Sequence, residues 1–448
     1  FDMAQECGLT NIIDQFSLPP LLDAHESGDL FEEACLLVRE YVQANPLDYM
    51  YPDFHNRVVS SVTQVMHIQL AHVEEDIDLE IQESVLCAMS LFYTYECPRR
   101  SYKQRSKVKT RQTPEVRDRI SYLLTVPQPE QRTEEWYEYR HNRLSASTAW
   151  KALGTQSSRN HLIYEKAAPY KAFSGSVGLD SSLHYGVKYE PVSIAIYEKD
   201  NDTVVTDFGA IPHDTVPFLA ASPDGINTKE GSPLYGRMLE VKNIVNRDIT
   251  GIPKLDYWVQ MQIQMEVCKL NTCDFLETRF IEYESRDAFL ADGTFTKTSK
   301  GRRKGILLLF SKEGDAYYEY PPIDMEEEDF AEWEAAKMKE NGEKGMTWIS
   351  NVHWRLDQLS CVAVRRNKLW FSAALPVFTS LWETVLAERK TGYEHRAPKR
   401  KPRTKSLTDS QPIGCMIDIS TLDLPKEEKR ERSKSENIVI VVETDTTT

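Results

Sequence analysis

Apolar positions early in the chain recur at helical spacing. Residues 29–39 carry such a stripe and are closed by Asn45-Pro46, and residues 56–75 and 78–94 read as two further helices. The stretch 98–119 loses the stripe, is dotted with serine and threonine, and reads as a linker or an exposed basic helix. From about residue 127 the pattern changes. Residues 203–212 and 217–221 are β-prone, and 238–241 is a short apolar strand between a glycine and a polar turn. Residues 256–268 return to helical spacing, three residues after Pro253. Strands are expected near 275–284, 305–311 and 316–320, then a helix near 325–340 whose acidic first turn suits a helix N-terminus. Residues 369–390 form a closing helix that Pro376 should bend or interrupt. Beyond 391 the composition is polar and charged, as in a disordered tail. The expected division is a helical region with a basic linker over 1–115, an α/β domain over 116–390 and the tail over 391–448.

Composition narrows the classes. A hydrophobic fraction of 41% and an aromatic fraction of 10% are those of a soluble globular protein, and no uninterrupted apolar stretch approaches bilayer length. The N-terminus has neither a basic start nor an apolar run, so no secretory signal is expected; lacking Met at position 1, the chain reads as a fragment. The eight cysteines are scattered without a CxxC pair, which fits free thiols in a reducing compartment better than a zinc site or a disulfide scaffold.

A net charge of −15 excludes a protein that coats nucleic acid through overall positive potential. Locally the picture differs. Basic residues gather at 99–119, at 297–304 and at 399–405.

The chemistry sits between the predicted strands. Ser222-Pro223-Asp224-Gly225 follows a β-prone segment, and Leu239-Glu240-Val241-Lys242 begins fifteen residues after Asp224, on a strand. Because strands alternate, Glu240 and Lys242 share one side while Val241 faces the core. Two carboxylates with the intervening Val241 carbonyl form an oxygen platform suited to Mg²⁺, and a lysine there can orient water and stabilise charge on a phosphate.

These residues resemble the PD-(D/E)XK nucleases, and more narrowly the YqaJ-like, lambda-exonuclease-type viral recombination nucleases. Four further segments carry the resemblance: Trp136…Arg140 followed by Ser145-Ala146-Ser147, Gly186…Glu190-Pro191, Ser222 itself, and Tyr257…Gln260. Together they span roughly residues 130–285. The resemblance implies a restriction-endonuclease-like mixed β-sheet flanked by helices, here with a helical N-terminal extension and a disordered C-terminal tail. It implies Glu190, Asp224, Glu240 and the Val241 carbonyl as metal ligands, with Lys242 and Gln260 completing the catalytic set. It assigns Arg140, Ser147 and Ser222 to a 5′-terminal phosphate and Tyr257 to a supporting face with Gln260 and Gln264. Pro191 is acceptable only in the first turn of the helix that bears Glu190.

The activity so implied is a Mg²⁺-dependent exonuclease, with Mn²⁺ able to substitute, acting 5′ to 3′ on double-stranded DNA ends. An annealing protein is the implied partner, and homo-oligomers occur among such nucleases. Alternatives are an endonuclease or RNA-cleaving enzyme on the same core, and a DNA-end scaffold without catalysis. A metal site supplies the nucleophile without a histidine, so His184 and His213 are expected to be structural. Arg302, Arg303 and Lys304 fall on a predicted hairpin tip and are candidates for duplex contact. Lys399, Arg400, Lys401 and Arg403 read as a nuclear localisation signal, against a cytoplasmic alternative. Ile438–Val442 reads as a SUMO-interacting strand.

Overall fold

The computed structural model describes residues 22–73, 76–105, 108, 112–172 and 181–398. The expected tail begins too early: Glu394–Arg396 form a short 3-10 turn, and Arg396 pairs with Glu388 on the preceding helix. From residue 399 on the tail, with the Lys399–Arg403 signal and the Ile438–Val442 strand, lies outside the described residues.

Three helices come first: α1 (Ala24–Ala44), α2 (Phe54–Gln69) and α3 (Asp78–Tyr95). Helix α1 begins in a capping box, in which the Asp23 side chain accepts from the Glu26 amide and Glu26 reaches back to the Asp23 amide. Its buried residues Leu30, Ala34, Val38 and Val42 fall one turn apart, and the helix stops at the Asn45-Pro46 signal. Their apolar faces join the same core as Trp258, Met261 and Phe275, so helices and sheet share one interior.

Within the basic stretch, three of the described arginines are anchored to the rest of the fold. Arg100 donates to the carbonyls of Tyr49 and Pro253, both at 2.8 Å. Arg119, on α4 (Pro114–Thr125), donates to the Cys268 and Val267 carbonyls and pairs with Asp214 at 2.9 Å. Arg105 pairs with the fully buried Asp274. Arginine has five donors in a rigid fork, which lets one side chain close several orphan carbonyls at once. These guanidinium groups staple the helical region to the sheet.

Next come α5 (Glu134–His141), β1 (Leu144–Ser145), α6 (Ala146–Ala149), α7 (Gln156–Ala167) and α8 (Ser182–Asn201). The strands β2 (Val205–Thr206), β3 (Ile211–Pro212), β4 (Leu219–Ala221), β5 (Gly225–Asn227) and β6 (Met238–Asn243) follow. Then come α9 (Leu255–Cys268), β7 (Thr272–Glu282), α10 (Arg286–Ala291), β8 (Lys304–Lys312), β9 (Asp315–Glu319), α11 (Glu327–Glu343), β10 (Thr347–Arg365) and α12 (Lys368–Thr391). The main sheet has seven strands in the order β2-β5-β6-β7-β10-β8-β9, and β1-β4-β3 form a small second sheet. Only β6 and β7 run parallel within the main sheet, and α9 is the crossover between them. The restriction-endonuclease-like expectation of a mixed sheet flanked by helices corresponds to this architecture.

Strand β10 changes neighbour along its length. Its first part pairs with β8 and its second with β7, with register shifts at Trp348/Ser350 and Leu356/Gln358. Helix α12 runs unbroken through Pro376 rather than stopping there. It is long and apolar enough to cross a membrane, at a mean hydropathy of 1.3, yet Trp370, Phe371, Phe378, Leu381 and Trp382 are buried in the core.

Gly225 shows why the turn after Asp224 needs glycine. A Cβ there would lie 2.1 Å from Cγ1 of Val205 on the paired strand β2. Gly225→Ala is expected to destabilise the fold by about 1–3 kcal/mol through overpacking. Chemical denaturation measures that loss, and a neutral substitution would contradict the close approach.

Candidate active site

Strand β6 is held between two helices, and its alternation sorts the site. Val241 faces α8, packed with Tyr197 and Leu276. Glu240 faces α9 and is fully buried. Its Oε1 accepts from Gln260 at 2.7 Å, and its Oε2 accepts from Gln264 at 2.7 Å. The Lys242 ammonium closes on Oε1 as well and lies 3.2 Å from the Val241 carbonyl.

Gln260 thus acts on the Glu240 carboxylate itself. Spaced one helical turn apart, Gln260 and Gln264 grip the two oxygens of one carboxylate and fix its plane. Tyr257, on the same helix, has its ring 5.3 Å from the Lys242 ammonium and 5.4 Å from the Arg247 guanidinium. It is half-buried between two cations and packs on Phe275, a supporting position for Lys242.

Asp224 stands at the turn before β5, and its Oδ2 accepts from the Val241 amide at 2.8 Å. That bond locks the turn to the middle of β6. Glu190 enters from α8, where its Oε2 meets Arg132 at 2.8 Å. Burial, then the Asp224 carboxylate, pushes Glu240 up to about 7, against the opposing pull of Lys242. The same two causes push Glu190 up to about 7, opposed by Arg132 and Lys242. For Lys242, burial disfavours the charge, but Glu240 and Asp224 outweigh it and hold the ammonium above its ordinary range. Negative charge thus exceeds positive charge here, and a cation would relieve the excess.

Among the described residues no three carboxylate, imidazole or thiol groups are gathered as a ready-made metal cage. The donor set nevertheless fits Mg²⁺, which keeps several waters and takes one or two carboxylates, unlike metals held in all-protein cages. Asp224 keeps one oxygen outside its amide bond, and Glu240 Oε2 has one donor for two lone pairs.

Pro191 corrects the sequence reading. It lies well inside α8, nine residues after Ser182, and not in the first turn. Lacking an N–H, it leaves the Val187 carbonyl without its usual intrahelical donor. Side chains brace this part of the helix: Asn243 donates to the Gly186 carbonyl and Tyr320 to the Lys188 carbonyl, each at 3.1 Å. Asn243 also accepts from Ser193 at 2.8 Å and Thr278 at 2.7 Å. The strand bearing Lys242 and the helix bearing Glu190 are tied together in this way.

The phosphate residues gather about Trp136. Arg140 donates to Ser147 Oγ at 2.6 Å, and its guanidinium lies 3.9 Å from the centre of the Trp136 ring. The indole N–H donates to Ser222 Oγ at 2.9 Å. Arg140, Ser147 and Ser222 are thus joined through one tryptophan. Lys166, which is 3% exposed, donates to the Arg140 carbonyl at 2.8 Å and fixes the end of α5.

The hairpin cluster is divided. The Lys304 ammonium is buried and donates to the carbonyls of Phe289 and Asp292, so it is turned away from any duplex. Arg303 pairs with Asp200 at 2.7 Å and Asp324 at 3.0 Å. Arg302 pairs with Asp357 at 2.7 Å but stays exposed. His184 bonds Tyr318 at 2.6 Å, and His213 lies 3.9 Å from Glu266.

Three members were missed in the sequence. Asp207 begins the loop after β2, and burial raises its carboxyl pKa, with Asp224 adding to the rise and Arg132 opposing it. Gln131 donates to the carbonyls of Phe208 at 2.8 Å and Pro223 at 3.1 Å, joining the loops of Asp207 and Asp224. Arg132 is the third. A place shortly before the Trp136 segment, or within a β-prone run, is too common to single any of them out.

Residues 135–271 match the model of the YqaJ-like viral recombinase domain. An uncharacterised protein of Acanthamoeba polyphaga mimivirus is 28% identical over 335 residues, which covers 66% of this chain and 59% of the relative. The chain thus spans about three fifths of that relative's length. Two solved structures are more distantly similar. An alkaline exonuclease from Laribacter hongkongensis is 18% identical, with a TM-score of 0.35 over 58% of this chain and 95% of its own. A phage-related exonuclease from Haemophilus somnus is 12% identical, with a TM-score of 0.30 over 54% of this chain and 93% of its own. Structural likenesses of this size do not bear on activity.

Proposed function

We propose that this YqaJ-like chain is a divalent-metal-dependent nuclease that hydrolyses phosphodiester bonds at the ends of linear duplex DNA, working from the 5′ end. The observation that carries this reading is the strand β6 arrangement: a gripped carboxylate and a raised-pKa lysine on one face, with Asp224 locked to the intervening amide. When bound, Mg²⁺ or Mn²⁺ supplies Lewis-acid stabilisation of phosphoryl oxygens and a more acidic water. Asp224, Glu240 and the Val241 carbonyl would hold it, with Glu190 on the opposite wall. Lys242 stays protonated and places a positive charge where negative charge develops on the phosphate. Gln260 and Gln264 keep Glu240 from rotating, so the donors need not reorganise during the reaction.

End dependence is supported by the Arg140–Ser147 pair with Ser222. A guanidinium beside two hydroxyls is a receptor for a terminal phosphate, and stacking on Trp136 holds it in place. The exposed Arg302 is the remaining hairpin arginine suited to the duplex backbone. Participation in DNA recombination with an annealing protein belongs to the same reading.

The test compares 5′-phosphorylated, 5′-hydroxyl and closed circular duplexes in Mg²⁺. The 5′-phosphorylated linear duplex is expected to be degraded fastest and the circle to remain intact. Cutting of the circle would instead indicate an endonuclease. Arg140→Ala is expected to reduce the preference for 5′-phosphate about ten- to hundredfold, the range for a hydrogen bond to a charged group. An unchanged preference would remove Arg140 from this role.

A further inference from the structure

The turn before α5 holds a non-glycine residue in the left-handed region: Arg132 has φ +68°. Such a conformation is strained for a residue with a side chain and persists where the surroundings over-determine it. Both neighbours of Arg132 are fixed. Gln131 is bonded to the Phe208 and Pro223 carbonyls, while the Thr133 hydroxyl donates to the Glu130 carbonyl at 2.7 Å and accepts from the Trp136 amide at 3.2 Å. Glycine would meet this geometry without strain. An arginine here is explained by what its side chain does.

The guanidinium lies on the open side of the carboxylate group. Its side chain is 46% exposed, and Nη2 reaches Glu190 Oε2 at 2.8 Å, the Glu190 side chain being 27% exposed. A metal ion on Glu190 would meet the positive charge of Arg132 already held there, so the two cations compete for one carboxylate. A planar fork with further N–H donors facing solvent is also the geometry that suits phosphate oxygens.

We propose that Arg132 is the resident counter-ion of this site: it holds Glu190 while no divalent cation is bound, and turns to a substrate phosphate when a cation takes Glu190. The inference rests on the metal-dependent reading above. It makes Arg132 a competitor of the cation in the free protein and an ally of DNA in the loaded one. A residue needed only for the turn would show neither effect.

The test uses the full chain, titrated calorimetrically with Mn²⁺ alone as wild type, Arg132→Gly and Arg132→Lys. The glycine variant relieves the left-handed strain, so its thermal melting should show an intact fold. It is expected to bind Mn²⁺ about two- to fivefold more tightly than wild type, the equivalent of one partly exposed ion pair, with the lysine variant in between. In Ca²⁺, the same glycine variant should bind a 5′-phosphorylated duplex several-fold more weakly. Unchanged or weaker Mn²⁺ binding by Arg132→Gly, or unchanged duplex binding, would overturn the counter-ion role while leaving the metal site in place. Absence of Mn²⁺ binding by wild type would overturn the metal-dependent reading and this proposal with it.

Discussion

Replacing Lys242 with alanine is expected to lower the single-turnover rate of DNA hydrolysis about 10²–10³-fold, the magnitude seen when one preorganised donor to a transition-state charge is removed. The ammonium is held by Glu240 and the Val241 carbonyl, under the Tyr257 ring, so its position is set before substrate arrives. DNA affinity should change little, because Arg140, Ser147 and Ser222 form a separate group about Trp136. The fold should survive as well, since Gln260 and Gln264 still satisfy Glu240 when Lys242 is absent. A variant that keeps its rate and loses its affinity would make Lys242 a phosphate-binding residue instead.

The largest stability effect is expected at Asp274, far from any reacting atom. Its carboxylate is fully buried on β7 and receives Arg105, Arg237 at 3.2 Å and the Tyr197 hydroxyl at 2.8 Å. Arg237 is itself only 2% exposed. Asp274→Ala strips a buried guanidinium of a buried counter-charge, which costs about 3–5 kcal/mol. The same change frees Arg105 and loosens the basic segment from the sheet. Urea unfolding should show a lower midpoint, with Asp274→Asn between variant and wild type. A loss below about 1 kcal/mol would place this cluster among weak surface pairs.

How far the sequence could be read depended on whether a segment's partners were local. Helices α1 to α3 and α9 carry their own stripes and stop signals, and the strand at 238–243 was found within two residues of its end. Strand β10 was not found at all. Its nineteen residues include Arg355, Asp357 and Gln358, and two register shifts break the alternation that marks a strand. The basic stretch misled for a related reason. Of the nine cations within 99–119, Arg100, Arg105 and Arg119 look solvated until Asp274, Asp214 and distant carbonyls arrive from elsewhere in the chain.

In the site itself, Glu240 and Lys242 were legible because their spacing on one strand dictates a shared face, and Asp224 because it sits in the Ser222-Pro223-Asp224-Gly225 turn. The same spacing rule put Gln260 and Gln264 on one helix face, but only the packed structure shows that both grip Glu240. Pro191 was misplaced because helix length could not be read through it; braces from Asn243 and Tyr320 are tertiary. Arg132 and Asp207 carry no local signal, since what defines them is the charge of residues remote in sequence.

Nucleotide release from a 5′-phosphorylated linear duplex tests the central claim most directly, followed in Mg²⁺ and then in excess chelator for wild type and Asp224→Ala. Release by wild type in Mg²⁺ alone, with none from the variant, is the predicted result. Release that survives the chelator, or that Asp224→Ala retains at the wild-type rate, would contradict a metal-dependent nuclease built on Asp224, Glu240 and Lys242.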